Sequence, residues 1–289
     1  MLYLVSFKMK IGAIIQARTS SSRFPKKVLQ SLPYDSNICV LQQDIRRAKK
    51  SKLLDEIIIA TTTNQEDDEI VDVAISENVP YFRGSLNNVL ERYYKSAIEF
   101  NLDIIVRITS DCPCLDWTII DKVIESHLDS NADYTSNSLI ESFPRGIDCE
   151  VINFKTLEEA YFNATEIYEK EHVTPYIYKS HPENFKINNY FEDENNSDIR
   201  ITLDTPQDYA LLSLIYDNLY YENNFFTLKD ILDLINRKPW IKYINAEVIQ
   251  KKVCNSLTEE LIEAMNLCDI QDLNRAKKFI NDNLEKYDG

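Results

Sequence analysis

A short apolar run that leads directly into a basic loop constrains this chain more than any other stretch. Residues Ile11–Ile15 are apolar, which indicates a strand covered on both faces in a parallel sheet. Small hydroxylic residues follow, together with four basic side chains: Arg18, Arg23, Lys26 and Lys27. Small residues let backbone N–H groups approach phosphate oxygens, and basic side chains add charge-assisted hydrogen bonds. The stretch therefore predicts an anion site at a strand end.

Overall charge and missing motifs narrow the class of ligand. The formal net charge of -15 over 289 residues argues against DNA, RNA or an anionic membrane as the main partner. Neither the Walker spacing GxxxxGK[ST] nor the dinucleotide fingerprint GxGxxG occurs in this chain of only four glycines. The basic loop therefore belongs to another kind of small-anion site.

The N-terminus and the cysteines indicate the cellular setting. Lys8 and Lys10 interrupt the apolar start, so we expect no signal peptide, and translation begins at Met1 or at Met9. No stretch approaches the roughly 20 apolar residues that cross a bilayer, so we expect no membrane insertion. The six cysteines include no CxxC pair, which favours free thiols in a reducing compartment. We expect a cytoplasmic protein.

Strands, polar loops and helices alternate with short connections over residues 11–130, which predicts an open, mostly parallel α/β sheet. After the first strand we predict helices at Ile38–Ala48, Glu69–Glu77 and Val89–Phe100. They alternate with predicted strands at Glu56–Thr61, Val79–Phe82 and Asp103–Thr109. Ligands bind such sheets outside the carboxyl ends of the strands. Polar segments follow four strands at that edge: Arg18–Lys27, Thr62–Asp68, Arg83–Ser85 and Ser110–Asp111.

The second half mixes short strands with helices. We predict a β-like run, two helices, a β-ribbon and a final strand, at Ile147–Ile152, Thr156–Thr165, Glu171–Ser180, Asn184–Ile199 and Asp198–Leu203. Thr205 and Pro206 are suited to begin a helix over Gln207–Tyr220, since Thr caps helices and Pro favours their first position. The tail from Thr227 onward is charged, amphipathic and predicted helical.

Two aspartates, Asp111 and Asp204, each end a predicted strand and precede a proline-bearing turn. One interpretation is that they cap the following helices. The other is that both face one cleft opposite the basic loop, where two carboxylates would hold Mg²⁺ against the phosphates of a nucleotide. The sequence leaves both interpretations open.

Several segments carry a family resemblance in their order along the chain. They are QARTSSSRFPKKVL at Gln16–Leu29, ATTTNQEDD at Ala60–Asp68, RGS with VLERY at Arg83–Tyr93, RITSDCP at Arg107–Pro113, PRGIDCEV at Pro144–Val151, EHVTPY at Glu171–Tyr176 and TLDTPQD at Thr202–Asp208. This pattern resembles the CMP-sialic acid and CMP-KDO synthetase-like cytidylyltransferases. The branch named for spore-coat polysaccharide biosynthesis protein F is the most similar. Ser20, Lys26 and Ser110 stand where that family usually has glycine.

The resemblance implies a fold and a set of domains. The fold would be an open, mostly parallel nucleotide-binding sheet of the GT-A/Rossmann-like nucleotidyltransferase kind. A small α+β insertion for dimerisation and acceptor binding would occupy residues 138–196 within a cytidylyltransferase domain of residues 9–222. A helical C-terminal extension would cover residues 223–289. A homodimer is the implied assembly.

The resemblance also implies roles for individual residues. Arg18, Arg23 and Lys27 would hold the triphosphate and act in catalysis, and Asp111 and Asp204 would bind Mg²⁺. The nucleotide would further contact Gln16, Ala17, Ser21, Thr61, Arg83, Gly84, Ser85 and Asp111. A small anionic acceptor would lie near Arg145, Asp148, Glu150 and His172.

Together these features predict a CTP-dependent cytidylyltransferase. It would activate an acidic sugar or a phosphorylated acceptor as a CMP or CDP conjugate, with release of pyrophosphate, for surface polysaccharide synthesis. Two alternatives remain open. The replaced glycines favour a non-catalytic nucleotide-binding protein, and an α/β sheet with aspartates and a metal also suits a GT-A-like glycosyltransferase. The usual DxD signature of the latter is missing at Asp111, where Asp111-Cys112-Pro113 stands instead.

Overall fold

A seven-stranded sheet runs through the larger of two structural units. The structure is a computed structural model that describes residues 8–248 and 256–284. One compact unit ends at Val248, and a second begins at Ile249. Residues 1–7 lie outside the described ranges, and so does Met1, one of the two possible start positions. Parts of the predicted helical tail, at 249–255 and 285–289, lie outside them as well.

The strands of the sheet are short and mostly parallel. In chain order they are β1 Ile11–Gln16, β2 Glu56–Thr62, β3 Tyr81–Gly84, β4 Ile104–Thr109, β5 Tyr134–Ser136, β6 Glu150–Asn153 and β7 Ile187–Asn189. Their spatial order is β3-β2-β1-β4-β6-β5-β7. Only β6 runs against its neighbours β4 and β5, and the other pairings are parallel.

Helices cover both faces of this sheet. They are α1 Val40–Ala48, α2 Asp68–Ser76, α3 Val89–Glu99, α4 Trp117–Ser130, α5 Phe154–Asn163, α6 Ile167–His172, α7 Pro206–Leu219 and α8 Leu228–Arg237. Alternate residues of β1 enter different cores. Ala13 and Ile15 pack with residues of α1, α4 and α7, whereas Ile14 packs with residues of α3 and α5. Burial on both faces explains why β1 reads as a continuous apolar run.

The strand order places a ligand crevice between β1 and β4. From β1 the chain adds β2 and then β3 on one side, and it next adds β4 on the other side of β1. At such a switch point the connections leave the two strand ends in opposite directions and open a crevice. The loop that begins at Ala17 and the turn that begins at Ser110 both emerge there. The predicted open, mostly parallel sheet with flanking helices is confirmed.

Two predictions for the second half were wrong in detail. Asp198–Leu203 begins in a turn and is not a strand of the sheet. Its backbone bonds to Arg145 and to Asp111 instead, through Arg145 N to Ile199 O (2.9 Å), Ile201 N to Arg145 O (2.8 Å) and Leu203 N to Asp111 O (2.8 Å). The predicted ribbon Asn184–Ile199 contributes only the three residues of β7.

The predicted helix Glu171–Ser180 is interrupted at Val173. This residue has φ 75 and ψ -55, and the N–H of Thr174 donates to the carbonyl of His172 at 2.9 Å. The resulting tight turn separates α6 from a π-helical turn at Tyr176–Ser180. The helix after Pro206 is confirmed. Thr205 caps α7 by accepting from the N–H of Asp208.

Residues after α7 divide between the two units. Leu228, Ile231 and Leu234 of α8 pack into the core of the larger unit. In the second unit, α9 Leu257–Ile270 and α10 Asn274–Asn281 confirm the predicted helical tail. The domain boundary predicted at residue 222 stays a prediction. Among the described residues, no helix is both long and apolar enough to span a bilayer.

Gly146 supports the turn that holds Asp198–Leu203 in place. It has φ 106, and an added Cβ would lie 2.7 Å from the backbone of Ile201. Backbone cannot move aside as a side chain can, so we expect Gly146→Ala to lower the free energy of unfolding by about 2 kcal/mol or more. Arg145→Ala removes an exposed side chain from the same turn and should cost roughly 0.5 kcal/mol at most. Urea denaturation measures both, and equal stabilities of the two variants would contradict this role of Gly146.

Candidate active site

The basic loop after β1 is anchored by a buried carboxylate, Asp67. The N–H and the hydroxyl of Thr19 each donate to Asp67 Oδ1 at 2.7 Å, and the hydroxyl of Thr62 donates to Oδ2. The loop then returns on itself, because the N–H of Lys26 donates to the carbonyl of Thr19 at 3.0 Å. Asp67 thus ties the loop after β1 to the end of β2. This role of Asp67 was not predicted from the sequence, although Asp67 lies in the polar segment Thr62–Asp68 after β2.

The loop keeps the backbone shape that a glycine would favour. Lys26 has φ 53 and ψ 28, which is the left-handed region that glycine enters most easily. Ser20 and Ser110, the other positions where the family usually has glycine, do not have positive φ. Of the three replacements, Lys26 alone stands at a position whose backbone conformation favours glycine, and the fold accommodates lysine at that position.

Lys27 joins the two aspartates at the centre of the crevice. Its ammonium donates to Asp111 Oδ2 at 2.7 Å and to Asp204 Oδ1 at 2.8 Å. Asp111 follows β4, and Asp204 directly precedes the cap of α7. The backbone bonds between Asp111 and the segment before Asp204 bring them together, since Leu203 N and Thr202 Oγ1 both donate to Asp111 O. The predicted convergence of Lys27, Asp111 and Asp204 is therefore present in the structure.

Arginines complete the surroundings of Asp204. Arg23 Nη2 lies 3.1 Å from Asp204 Oδ2, and Arg200 Nη2 donates to the same oxygen at 2.8 Å. Arg200 also bonds to the buried Asp208 through Nε at 2.9 Å. Asn245 donates to Asp208 at 2.7 Å and to the carbonyl of Arg200 at 3.1 Å. Arg200, Asp208 and Asn245 were not predicted as site residues. Only the TLDTPQD motif, which contains Asp208, carried a signal for them.

These partners set the ionisation of the site. Burial alone raises the pKa of Asp204, but the positive charges of Lys27, Arg200 and Arg23 outweigh it and lower the pKa to about 2. Burial alone lowers the pKa of Lys27, but the negative charges of Asp111 and Asp204 outweigh that effect and raise the pKa above its usual value. Lys27 therefore remains a charged ammonium. At neutral pH Asp204 is therefore a carboxylate that faces the charged ammonium of Lys27.

Neither aspartate caps a helix. Thr205 caps α7, and Asp116 caps α4 by accepting from the N–H of Thr118. The capping interpretation of Asp111 and Asp204 was therefore wrong. Both carboxylates face the basic loop, as the other interpretation required.

The predicted nucleotide-side residues lie along the ends of β1, β2 and β3. Gln16 ends β1, Thr61 is buried in β2 beside its partner Arg83 of β3, and Gly84 ends β3. The N–H of Ala17 donates to the carbonyl of Ala60 at 3.0 Å. Ser21 Oγ accepts from Phe24 N at 3.4 Å, and Ser85 Oγ accepts from Asn88 N at 3.2 Å. Arg18 is exposed in the loop above them.

The predicted acceptor residues have different surroundings. Arg145 is exposed, and Asp148 accepts from the N–H of Gly146 at 3.2 Å. Glu150 is buried and bonds to three side chains, Arg107, Tyr134 (2.5 Å) and Thr174 (2.7 Å). His172 ends α6, beside the tight turn at Val173. Glu150 therefore links β4, β5 and that turn.

The carboxylates fit a metal shared with substrate. Within 8–248 and 256–284, no three His, Cys, Asp or Glu side chains form a group that could hold a metal ion. Asp111 Oδ2 and Asp204 Oδ1 lie within 2.7 and 2.8 Å of one nitrogen, which places them no more than 5.5 Å apart. Mg²⁺ is commonly bound by one or two carboxylates together with substrate phosphates. The pair supplies suitable oxygens for that arrangement.

The amino-acid sequence of the chain matches a known protein family. Residues 12–238 match the family described as Cytidylyltransferase. The chain belongs to the cytidylyltransferase family. It is accordingly a nucleotidyltransferase, and the resemblance carried by the motifs is confirmed.

Similar proteins come from archaea and bacteria. An uncharacterized protein of Methanocaldococcus jannaschii is 42% identical over 246 residues, covering 84% of this chain and 97% of that protein. Spore coat polysaccharide biosynthesis protein SpsF of Bacillus subtilis is 33% identical over 230 residues, covering 78% and 94%. A solved cytidylyltransferase of Leptospira borgpetersenii is 30% identical with a TM-score of 0.77, covering 85% of this chain and 100% of that one. The nucleotidyltransferase fold predicted from the sequence is confirmed.

The lowered pKa of Asp204 makes a prediction for acid stability. A carboxyl whose pKa falls from 3.8 to about 2 on folding stabilises the folded state above pH 3.8. Asp204→Asn should therefore lower the free energy of unfolding by about 2 kcal/mol at pH 7. The difference from wild type should shrink below about pH 4 and fall to a small fraction of its neutral value at pH 2, where Asp204 is about half protonated in the folded state. Urea denaturation from pH 2 to pH 7 measures it, with the exposed Asp129→Asn as control. A difference that does not change with pH would contradict the assignment.

Proposed function

We propose that this protein is a CTP-dependent cytidylyltransferase that uses Mg²⁺ and a small anionic acceptor. The observation that carries the proposal is the bridge from Lys27 to Asp111 and Asp204, at the switch point between β1 and β4. The family assignment supports transfer of a cytidylyl group. The site supplies cations that suit the phosphates of the nucleotide and carboxylates that suit a metal ion.

The basic loop would grip the triphosphate. Arg18 and Arg23 are exposed, so incoming phosphate oxygens can reach their guanidinium groups. Lys27 is mostly covered, with 13% of its side chain exposed, and its ammonium is paired with the carboxylates of Asp111 and Asp204. On binding, phosphate oxygens would take over hydrogen bonds that Lys27 and Arg23 now make to Asp111 and Asp204. The carboxylates thereby become free to bind a cation.

Asp111 and Asp204 would hold Mg²⁺, and this ion would neutralise charge on the phosphates during transfer. Arg200 would keep the carboxylate of Asp204 oriented, because it binds the second oxygen, Oδ2, and leaves Oδ1 to face Lys27. The buried Asp208 fixes Arg200 in turn. This chain of contacts holds the carboxylate in place before substrate arrives.

The reaction is a displacement at the α-phosphorus of CTP. A hydroxyl or phosphate oxygen of the acceptor forms a bond to this phosphorus, and the bond from phosphorus to the pyrophosphate oxygen breaks. A hydroxyl acceptor releases its proton to solvent, and no covalent enzyme intermediate is needed. Arg18, Arg23 and Lys27 would stabilise the negative charge that develops on the phosphoryl oxygens.

The acceptor would be an acidic sugar or a phosphorylated precursor of a surface polysaccharide, in the cytoplasm. The printed name of the Bacillus subtilis relative, a spore coat polysaccharide biosynthesis protein, supports this setting. We propose Arg145, Asp148, Glu150 and His172 on the acceptor side. Residues 138–196 would also form the homodimer contact, since this segment exposes Leu139, Ile140 and Phe191.

Two other functions are less well supported. A GT-A-like glycosyltransferase would also use a metal on such a sheet, but the family match points to nucleotidyl transfer. A non-catalytic nucleotide-binding protein was suggested by the replaced glycines. The loop nevertheless retains the left-handed backbone at Lys26, so this replacement does not remove the loop conformation.

Pyrophosphate release tests the proposed reaction. We expect CTP with Mg²⁺ to raise the melting temperature, since a ligand at ~100 times its dissociation constant adds about 2.7 kcal/mol of stability. CTP should do so more than UTP, ATP or GTP. With an acidic sugar or sugar phosphate present, pyrophosphate should appear, and Asp111→Asn should abolish its formation while Asp129→Asn leaves it unchanged. Release of a nucleoside diphosphate from a sugar donor would instead favour the glycosyltransferase. Binding of CTP without turnover on any acceptor would favour the non-catalytic protein.

A further inference from the structure

Arg92 is a buried cation, and two of its three guanidinium nitrogens have no hydrogen-bond partner in the described part of the chain. It lies in the first turns of α3 and is 2% exposed. Its Nε and Nη1 are buried and form no hydrogen bond with any described residue. A buried guanidinium is expected to be paired, because an unpaired charge away from water is strongly unfavourable. This one therefore requires an explanation.

The other arginine of the same motif is fully engaged. Arg83 donates through Nε to the carbonyl of Thr62 (2.8 Å), through Nη2 to the carbonyl of Asn64 (2.7 Å) and through Nη1 to Asp68 (2.6 Å). These contacts hold the segment after β2. Of the two arginines in RGS…VLERY, Arg83 therefore supports the loop, whereas Nε and Nη1 of Arg92 donate to no described residue.

Arg92 lies on the nucleoside side of the crevice. An added Cβ at Gly84 would lie 2.8 Å from Arg92 Cγ, so the end of β3 rests directly on this side chain. The phosphate grip is on the other side of β1, where Lys27 meets Asp111 after β4. A nucleotide with its phosphates there would extend across the end of β1 toward β2 and β3. Its base would then approach Arg92.

The charges around Arg92 do not satisfy it. Asp67 is close enough to act on Arg92 electrostatically, but its oxygens already accept from Thr19 and Thr62. Burial lowers the pKa of Arg92, and the positive charge of Arg18 lowers it further. The guanidinium is therefore held in an unfavourable position that a ligand acceptor would relieve.

Gln16 provides a complementary unpaired group. Its Oε1 is buried and accepts no hydrogen bond from the described residues. Gln16 lies two residues after Ile14, which packs on the α3 side of the sheet, so both side chains project to the face that α3 covers. This face thus presents unpaired donors from Arg92 and an unpaired acceptor from Gln16.

We propose that Arg92 binds the nucleobase of the substrate and makes the site selective for cytosine. This inference rests on the proposed function and names the base-reading residue of that site. Two nitrogens of Arg92 would donate to the ring nitrogen and the adjacent carbonyl oxygen of cytosine, and Gln16 would accept from the exocyclic amine. Uracil has an N–H in place of the ring acceptor, which would face the donors of Arg92 unfavourably.

The test compares Arg92→Met with Arg83→Met in the full-length protein. Titration calorimetry would measure the binding of CTP, UTP and inorganic tripolyphosphate, each with Mg²⁺, and melting curves without ligand would measure stability. A good bidentate contact to a base is worth about 1–3 kcal/mol, so we expect Arg92→Met to weaken CTP binding by about 5- to 150-fold. The preference for CTP over UTP should fall toward one, and tripolyphosphate should bind as it does to wild type.

Stability without ligand distinguishes a binding role from a structural one. Replacing an unpaired buried charge by an apolar side chain of similar size should leave the melting temperature unchanged or raise it. Arg83→Met removes three hydrogen bonds and should lower it. A lowered melting temperature for Arg92→Met would overturn the inference and assign Arg92 a structural role beside Asp67. Unchanged selectivity for CTP over UTP would also overturn it, while leaving the proposed function intact. Failure of the wild type to bind CTP would contradict the proposed function itself.

Discussion

Two carboxylates that share one ammonium group are the contact on which the rest of this structure depends. Asp111 and Asp204 are far apart in sequence and repel each other, and Lys27 with neighbouring arginines offsets their charge where the hydrogen bonds from Leu203 and Thr202 to Asp111 bring them together. This requires the loop after β1, the end of β4 and the start of α7 to meet at one point. The strand order, the turn at Gly146 and the cap at Thr205 all serve that meeting. The same contact contains the ammonium that would bind the nucleotide phosphates and the two carboxylates that would bind the metal.

Much of the fold was predictable because the sequence repeats one local pattern, in which an apolar strand is followed by a polar loop and an amphipathic helix. Short apolar runs such as Ile11–Ile15 favour strands covered on both faces, and the polar residues and helices that follow them support that interpretation. The start of α7 was equally clear, since Thr205 and Pro206 combine a cap with a favourable first residue. Asp198–Leu203 has the same apolar character as a strand, but it bonds to a turn and to Asp111 rather than to a strand ladder. Hydrophobic pattern alone cannot distinguish these cases.

The convergence of the basic loop with Asp111 and Asp204 was predictable from their positions at strand ends, and the family motifs agreed. The supporting residues were not. Asp67 and Asn245 act through partners that are distant in sequence, so no local pattern marks them. Arg200 bonds to Asp204 and Asp208, which are nearby in sequence, but its spacing alone does not distinguish it from an ordinary surface arginine. The different roles of Arg83 and Arg92 depend on which hydrogen bonds each one makes. Spacing places both in one motif, but only three-dimensional contacts show that one is engaged and the other is not.

We propose that CTP and a divalent metal replace Lys27 between Asp111 and Asp204. A crystal structure with CTP and Mn²⁺, which suits the same oxygen ligands as Mg²⁺, tests it most directly. The result expected is an anomalous peak coordinated by both carboxylates and by phosphate oxygens, with the ammonium of Lys27 moved onto the triphosphate. A metal bound elsewhere, or CTP bound while Lys27 still bridges the two aspartates, would contradict the claim.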